Sequence, residues 1–171
     1  IEDVKELLTK VKAFNEDLYL CCLFTYGCLL RPHQEIRLLK WEDFTSDLSH
    51  IRLSGNQVKS KRNRIVPISP KIREILSIKE GHLNIFTGLK QPYSRSYFIQ
   101  LWRRFKRLNP EVDKEITLYS FRHSGAIDIF KRTGSITKLQ KAMGHSSMTV
   151  SLTYLRGLEV AELQEKDMPM V

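Results

Sequence analysis

The longest apolar stretch of the chain covers 13 residues, at positions 18–30. A helix needs roughly 20 apolar residues to cross a bilayer, so we interpret this stretch as a helix inside a globular protein, not as a membrane span. Asn15 is placed to cap its N-terminus, and Ser135 is placed to cap a later helix. The stretch also holds Cys21, Cys22 and Cys28. Adjacent cysteines make a poor disulfide pair, so we expect buried free thiols in a reducing cytosol.

The rest of the chain alternates between helical and strand periodicity. Apolar spacing predicts helices over residues 4–14, 32–39, 71–78 and 97–108, and helices only from residue 118 onward. Short strands are predicted over residues 41–44, 50–53 and 64–68, with a polar loop at 54–63 between the last two. The sequence therefore predicts a mainly α (α+β) fold with one small three-stranded antiparallel sheet.

Positive charge is concentrated in the middle of the chain. The 171 residues include 28 Lys and Arg against 19 Asp and Glu, a formal net charge of +9. Residues 51–110 carry 14 basic and 2 acidic side chains, whereas the remainder carries 14 and 17. This clustering favours a polyanionic partner, and nucleic acid is the first candidate. A solubilising surface is the alternative interpretation.

Cutting a phosphodiester needs an attacking group, a proton for the departing oxygen and positive charge on the phosphoryl oxygens. The sequence has no HExxH motif, no glycine-rich phosphate loop and no Asp/Glu/His cluster with the spacing of a two-metal nuclease. A metal-free route would use arginines for charge and a side chain as nucleophile.

Four segments contain the residue types for such a route. They are Arg31-Pro32-His33-Gln34-Glu35, the basic run from Lys59 to Pro67, Tyr119-Ser120-Phe121-Arg122, and Gly144-His145 followed nine residues later by Tyr154. In this order they resemble the catalytic domain of the tyrosine recombinases, the phage integrase family, over about residues 15–156. The family's pattern has a first arginine, a hairpin lysine eight residues before a proline, an H-x-x-R segment, and a Gly-His followed by the tyrosine.

The resemblance implies a helical catalytic domain and a site-specific DNA recombinase or integrase that needs neither metal, ATP nor another cofactor. Tyr154 would attack the scissile phosphate and form a 3′-phosphotyrosine. Arg31 and Arg122 would clamp the non-bridging oxygens, and His145 would donate a further hydrogen bond. Lys59 would protonate the leaving 5′-oxygen, and Lys61 is the alternative acid two residues away.

Two positions depart from the family's pattern. Tyr119 stands where the family usually has histidine; a tyrosine can donate a hydrogen bond, but its usual pKa near ~10 makes it a poor base at neutral pH. Glu35 follows Arg31 by four residues, whereas the family's acidic residue usually follows by three. Either spacing puts a carboxylate on the arginine's side of a helix, so we expect Glu35 to orient Arg31.

Further basic residues are candidates for contacts to double-stranded DNA. In and beside the hairpin loop these are Lys61, Arg62 and Arg64, and around the predicted basic helix they are Arg95, Arg103 and Arg104. For the helix residues, a solvated face is the alternative.

We expect residues 1–171 to be a single catalytic domain without the helical core-binding domain with which such recombinases clamp DNA. As a fragment it would be a monomer that binds DNA weakly, and the full-length protein would form a homotetramer on DNA. We expect a cytoplasmic, nucleoid-associated protein with no membrane partner and no small-molecule substrate. Two other functions stay open: a type IB topoisomerase, and a DNA-binding module without catalysis.

Overall fold

The structure, a computed structural model, describes residues 3–54, 63–144 and 164–169. The helices within these ranges are α1 (Val4–Phe14), α2 (Glu16–Gly27), α3 (Pro70–Arg73), α4 (Tyr97–Leu108), α5 (Leu118–Thr133) and α6 (Ile136–Met143). Strands β1 (His50–Leu53) and β2 (Arg64–Pro67) pair antiparallel. Short 3₁₀ helices cover Ile36–Leu38, Trp41–Asp43 and Glu165–Asp167. The predicted mainly α fold with one small sheet is confirmed.

Side-chain caps fix several helix starts where the sequence predicts them. The Asn15 side chain accepts a hydrogen bond from the Leu18 amide over 2.9 Å at the start of α2. Ser135 does the same for the amide of Lys138 over 3.2 Å at the start of α6. Such caps satisfy amides that have no partner within the helix, and each stabilises its helix by about 0.5–2 kcal/mol.

The predicted strand at residues 41–44 is wrong, and the sheet described has two strands, not three. Trp41–Asp43 is a 3₁₀ helix because the Asp43 carboxylate accepts a hydrogen bond from the Lys40 amide over 2.9 Å, which closes a tight turn. Phe44 keeps a single bridge to Ile51 at the edge of β1. The local side-chain bond has overridden the strand propensity of the aromatic residues.

The chain also leaves the helices earlier than predicted. α2 ends at Gly27, three residues before the end of the apolar run, and Leu29 adopts a left-handed conformation with φ 54°. Residues 32–35 form turns before the 3₁₀ helix Ile36–Leu38, where the sequence predicts a continuous helix. α3 stops at Arg73. The left-handed Leu29 turns the chain sharply two residues before Arg31, and its carbonyl oxygen bonds Arg122 of α5.

α2 lies at the centre of the main core, between α1, α4 and α5. Cys21 and Cys22 in α2, and Cys28 directly after it, are buried free thiols, as predicted. Gly125 of α5 allows the closest approach: a Cβ there would overlap the carbonyl oxygen of Tyr26 and lie 2.8 Å from Leu29 Cδ2. The two helices can therefore pack this tightly only with glycine at position 125.

A second, smaller cluster seats α6. Leu29, Ala126, Leu139 and Met143 are all completely buried against one another. This cluster holds the C-terminal end of α6 next to the segment that follows α2. Two segments of the predicted site, the one at Arg31 and the one at Gly144, therefore come together through apolar packing.

Candidate active site

The Glu35 carboxylate binds both the main chain and the side chain of Arg31. One carboxylate oxygen, Oε2, accepts the Arg31 amide over 2.8 Å, and Oε1 accepts Nη1 of the guanidinium over 3.0 Å. The Glu35 side chain is fully buried and that of Arg31 is 12% exposed. The four-residue spacing thus does bring the carboxylate to the arginine. The amide of Glu35 bonds the Arg31 carbonyl over 3.0 Å, and this single helical turn fixes the geometry.

Arg122 is the largest fully buried side chain described, with 1% of its surface exposed. Its Nε donates to the carbonyl oxygen of Leu29 over 2.7 Å, and its Nη2 donates to that of Met143 over 2.8 Å. Leu29 lies two residues before Arg31, so this bond places the guanidinium of α5 beside the Arg31 turn. Arg122 therefore bonds the main chain two residues before Arg31, the other arginine that the sequence predicts for a phosphate clamp.

Arg64 lies within the same network, although the sequence analysis assigned it to the DNA surface. Its Nη2 pairs with Glu35 Oε2 over 3.0 Å, and its Nη1 donates to the Met143 carbonyl over 2.9 Å. Only 7% of the residue is exposed. This placement argues against a DNA contact and corrects that assignment. Burial lowers the pKa of the guanidinium, and the Glu35 carboxylate partly offsets the effect.

The carbonyl that Arg64 and Arg122 share belongs to the last residue of α6. Gly144 follows it in a left-handed conformation, φ 67°, and caps the helix. A Cβ on Gly144 would lie 2.5 Å from Arg64 Nη1. The next residue in the sequence is His145. The arginine network thus holds the main chain directly before the predicted histidine.

Five predicted site residues, in the hairpin loop and in the segment after Gly144, lie outside the described residues. These are Lys59, Lys61, Arg62, His145 and Tyr154. The described residues resume at Asn63, directly after the hairpin loop, and end at Gly144, directly before His145.

Tyr119 lies on α5 one helical turn before Arg122 and is 42% exposed. Its ring meets the ring of His33 edge-on, with the centroids 6.2 Å apart. The sequence analysis gave His33 no role. The sequence did offer one indication: His33 lies between Arg31 and Glu35, which are separated by one residue more than in the family's pattern.

The surroundings of His33 disfavour its protonated form. Burial lowers the pKa of its imidazole, and the positive charges of Arg37 and Arg95 lower it further. Within the described part of the chain, its Nδ1 is buried without a hydrogen-bond partner. Protonating that nitrogen would bury an N–H group with no acceptor, which has the same effect as the neighbouring charges.

Arg37 is a second residue that the sequence analysis missed. Its Nε donates to the His33 carbonyl over 3.0 Å, and its Nη1 donates to the Tyr93 carbonyl over 2.7 Å. It thereby ties the Arg31 turn to the loop that carries Arg95. Arg95 itself is exposed, and so are Arg103 and Arg104 on α4, on the side opposite the buried Trp102 and Phe105. All three remain predicted DNA contacts.

Among the described residues, no group of three or more His, Cys, Asp or Glu side chains is arranged to hold a metal ion. None of the helices in the same ranges has the length and apolar character needed to cross a bilayer.

Comparison with known proteins identifies the family. The model of the phage integrase family matches residues 1–159. The chain is 28% identical over 125 residues to the tyrosine recombinase XerD of Halalkalibacterium halodurans, covering 63% of this chain and 41% of that protein. It is 26% identical over 154 residues to the integrase of Escherichia phage P2, covering 90% of this chain and again 41% of the relative. The chain thus spans about two fifths of the length of these relatives.

The fold agrees with the family match. The catalytic domain of bacteriophage HP1 integrase superposes with a TM-score of 0.64 at 22% identity, covering 89% of this chain and 84% of that one. The match of the family model extends over nearly the whole chain and includes every segment predicted to carry the chemistry. The chain therefore belongs to the phage integrase family.

Proposed function

We propose that the chain is the catalytic domain of a site-specific DNA recombinase or integrase. It would cut and rejoin DNA strands through a 3′-phosphotyrosine, without metal or ATP. The observation that carries this proposal is the placement of Arg31 and Arg122 around one turn of main chain, in a member of the phage integrase family. Two planar guanidinium groups side by side suit the oxygens of a phosphodiester in its transition state.

In the proposed cleavage step, the Tyr154 hydroxyl oxygen bonds to phosphorus as the bond from phosphorus to the 5′-oxygen breaks. The tyrosine gives its proton to a water molecule, and the departing 5′-oxygen takes a proton from Lys59, or from Lys61 as the alternative acid. Arg31 and Arg122 neutralise the charge that builds on the non-bridging oxygens. Arg31 uses its amide and Nη1 to bind Glu35, so Nε and Nη2 are the nitrogens it would present to the phosphate.

His145 and Tyr119 would donate further hydrogen bonds to the phosphate. Tyr119 is exposed and lies one helical turn from Arg122, on the helix that carries this arginine into the site. This position supports a donor role for the phenol where the family usually has an imidazole.

Rejoining reverses the chemistry. The phosphotyrosine retains the energy of the phosphodiester, so the 5′-hydroxyl of a second strand can attack it without an added energy source. Exchange between two sites requires several active sites on one DNA assembly. We therefore propose a homotetramer on double-stranded DNA for the full-length protein, with a helical core-binding domain completing the clamp, and a monomer for residues 1–171 as a single domain. We also propose a cytoplasmic, nucleoid-associated protein, because its proposed substrate is DNA.

The test is covalent trapping. The protein is incubated with nicked duplexes in which the cleaved strand releases a short fragment with a 5′-hydroxyl, so that rejoining is lost. Wild type and Tyr154→Phe are each incubated with chelator and, in parallel, with added Mg²⁺. The proposal predicts a chelator-resistant covalent adduct for wild type and none for the variant. An adduct that needs a divalent metal, or that persists in Tyr154→Phe, would overturn it.

The two other functions give different results in companion assays. A type IB topoisomerase would relax supercoiled plasmid irrespective of its sequence, and a recombinase would need its own site. A DNA-binding module without catalysis would form no adduct, and every activity of Tyr154→Phe would equal that of wild type.

A further inference from the structure

Arg64 combines burial with charge in a way that neither core packing nor DNA binding explains. It is the first residue of β2 and follows the polar hairpin loop in the sequence. Its side chain is 6% exposed. Burying a guanidinium is unfavourable unless its donors are met in good geometry. A position chosen only for packing would therefore favour an aliphatic residue.

The two ends of the Arg64 guanidinium bind two different parts of the site. Nη2 donates to Glu35 Oε2 over 3.0 Å, while the other oxygen of that carboxylate accepts a hydrogen bond from the Arg31 guanidinium over 3.0 Å. Nη1 donates to the Met143 carbonyl oxygen over 2.9 Å, and the same oxygen accepts a hydrogen bond from Nη2 of Arg122 over 2.8 Å. Arg64 thus connects the partner of one clamp arginine with the partner of the other.

The contacts at the Met143 end leave little room for movement. Because a Cβ on Gly144 would reach within 2.5 Å of Arg64 Nη1 and 3.0 Å of its Cδ, the guanidinium and the Gly144 main chain are in direct contact. A shift of Arg64 would therefore also shift the main chain that leads into His145.

We infer that Arg64 is a positioning residue that sets the spacing between Arg31, Arg122 and the Met143–Gly144 main chain, and that it acts on the phosphate clamp and not on the leaving group. The inference rests on the proposed function. Its chemistry requires an arginine: the planar fork spans two acceptors at fixed separation, whereas a lysine ammonium is a single point that can serve only one of them well.

The test uses the natural protein that contains this chain, on its own DNA site, with Arg64→Lys and Arg64→Met. Arg52→Met is the matched control, because Arg52 is exposed on the neighbouring strand and its loss removes the same charge from the same hairpin. DNA affinity, melting temperature and the first-order rate of adduct formation are measured for each. A misplacement of about 1 Å in an active site costs ~100-fold in rate, so we expect a loss of that order for Arg64→Met.

Arg64→Lys keeps the positive charge, so we expect it to fold, and it serves as the test if Arg64→Met fails to fold. We expect it to bind DNA as wild type does and to form the adduct at least ~10-fold more slowly, since one of the two acceptors loses its donor. Arg52→Met should keep the wild-type rate. If Arg64→Lys forms adduct at the wild-type rate, the positioning role is wrong. If its DNA affinity falls in parallel with its rate, Arg64 is a DNA contact after all.

A second substrate separates the clamp from the leaving group. A 5′-bridging phosphorothiolate has a sulfur leaving group that needs no proton, so it should rescue Lys59→Ala. We expect no rescue of Arg64→Lys, because the clamp is still misplaced. Rescue of both variants would mean that Arg64 acts through the hairpin lysine and would overturn the inference. A silent wild type would instead overturn the proposed function, and the inference with it.

Discussion

Arg64 and Arg122 donate to one acceptor, the carbonyl oxygen of Met143, over 2.9 and 2.8 Å. They arrive from β2 and α5, which lie far apart in the sequence, and meet at the last residue of α6. The carbonyl at a helix C-terminus carries partial negative charge, which favours cationic donors there. The end of α6 is therefore held by the same side chains that are proposed to bind, or to position the groups that bind, the phosphate.

Replacing Glu35 with glutamine should affect both stability and cleavage. The change removes the negative charge shared by Arg31 and Arg64 while conserving the shape of the side chain. Breaking a buried ion pair by removing one partner costs about 3–5 kcal/mol. Urea unfolding at neutral pH should show a loss of that order for Glu35→Gln. Glu42→Gln, at an exposed position, should leave the free energy of unfolding unchanged. Equal stability of the two variants would contradict the ion-pair network.

Two glycines provide a matched pair. Gly144 and Gly134 both cap helices in a left-handed conformation, with φ 67° and 63°. A Cβ meets Arg64 Nη1 at 2.5 Å on Gly144, whereas it meets nothing within 4 Å on Gly134. Alanine at either position costs roughly 1 kcal/mol for the backbone conformation. Only Gly144→Ala should in addition displace Arg64 and lower the rate of adduct formation. A cleavage defect of the same size in Gly134→Ala would show that the clash is irrelevant.

Substitution of Tyr119 tests whether its hydroxyl contacts the phosphate. A hydrogen bond to a charged group contributes about 1.5–3 kcal/mol, so Tyr119→Phe should form the adduct ~10–100-fold more slowly. Tyr119→His restores a donor and should recover most of that rate. The side chain is 42% exposed, so neither change should lower the melting temperature appreciably. A Tyr119→Phe variant with wild-type cleavage would leave Tyr119 as a packing residue beside His33.

The lowered pKa of His33 predicts acid destabilisation. The unfolded state binds a proton at the ordinary histidine pKa near ~6.5, while burial and the charges of Arg37 and Arg95 resist protonation in the folded state. The contribution of His33 to stability is therefore fully present above that pH and is lost as the pH falls through the folded-state pKa. His33→Gln should reduce the fall in melting temperature between pH 7 and pH 5.

His82→Gln is the control for that measurement, because His82 is exposed. It should not reduce the fall in melting temperature. His123, whose pKa is also lowered by burial, remains in both variants, so part of the fall should persist. An unchanged slope in His33→Gln would contradict the assignment of His33 as a neutral imidazole.

Local sequence signals predicted the fold well where local interactions decide it. α4 has the predicted bounds, because its alternating apolar and basic faces repeat at helical spacing over three turns. Asn15 and Ser135 cap where expected. The strand prediction for residues 41–44 failed because the hydrogen bond from the Lys40 amide to the Asp43 carboxylate outweighs the strand propensity of the segment.

The site was predictable only in part. The family resemblance and the four-residue spacing together paired Glu35 with Arg31, since the two residues lie one helical turn apart. The burial of Arg64 was not predictable, because its partners Glu35 and Met143 are 29 and 79 residues away in the sequence and are brought to it only by tertiary packing. A basic residue beside a basic loop resembles a DNA contact until that packing is known. The contact between His33 and Tyr119 depends on tertiary structure in the same way.

The most direct test of the account is to identify which residue and which DNA end are joined in the trapped adduct. The nicked duplex is labelled at the 5′ end of the cleaved strand in one sample and at its 3′ end in another, and the protein–DNA peptide is sequenced by mass spectrometry. The account predicts that the 5′-labelled fragment stays with the protein, linked through its 3′-phosphate to Tyr154. A linkage to another residue, or retention of the 3′-labelled fragment, would contradict it.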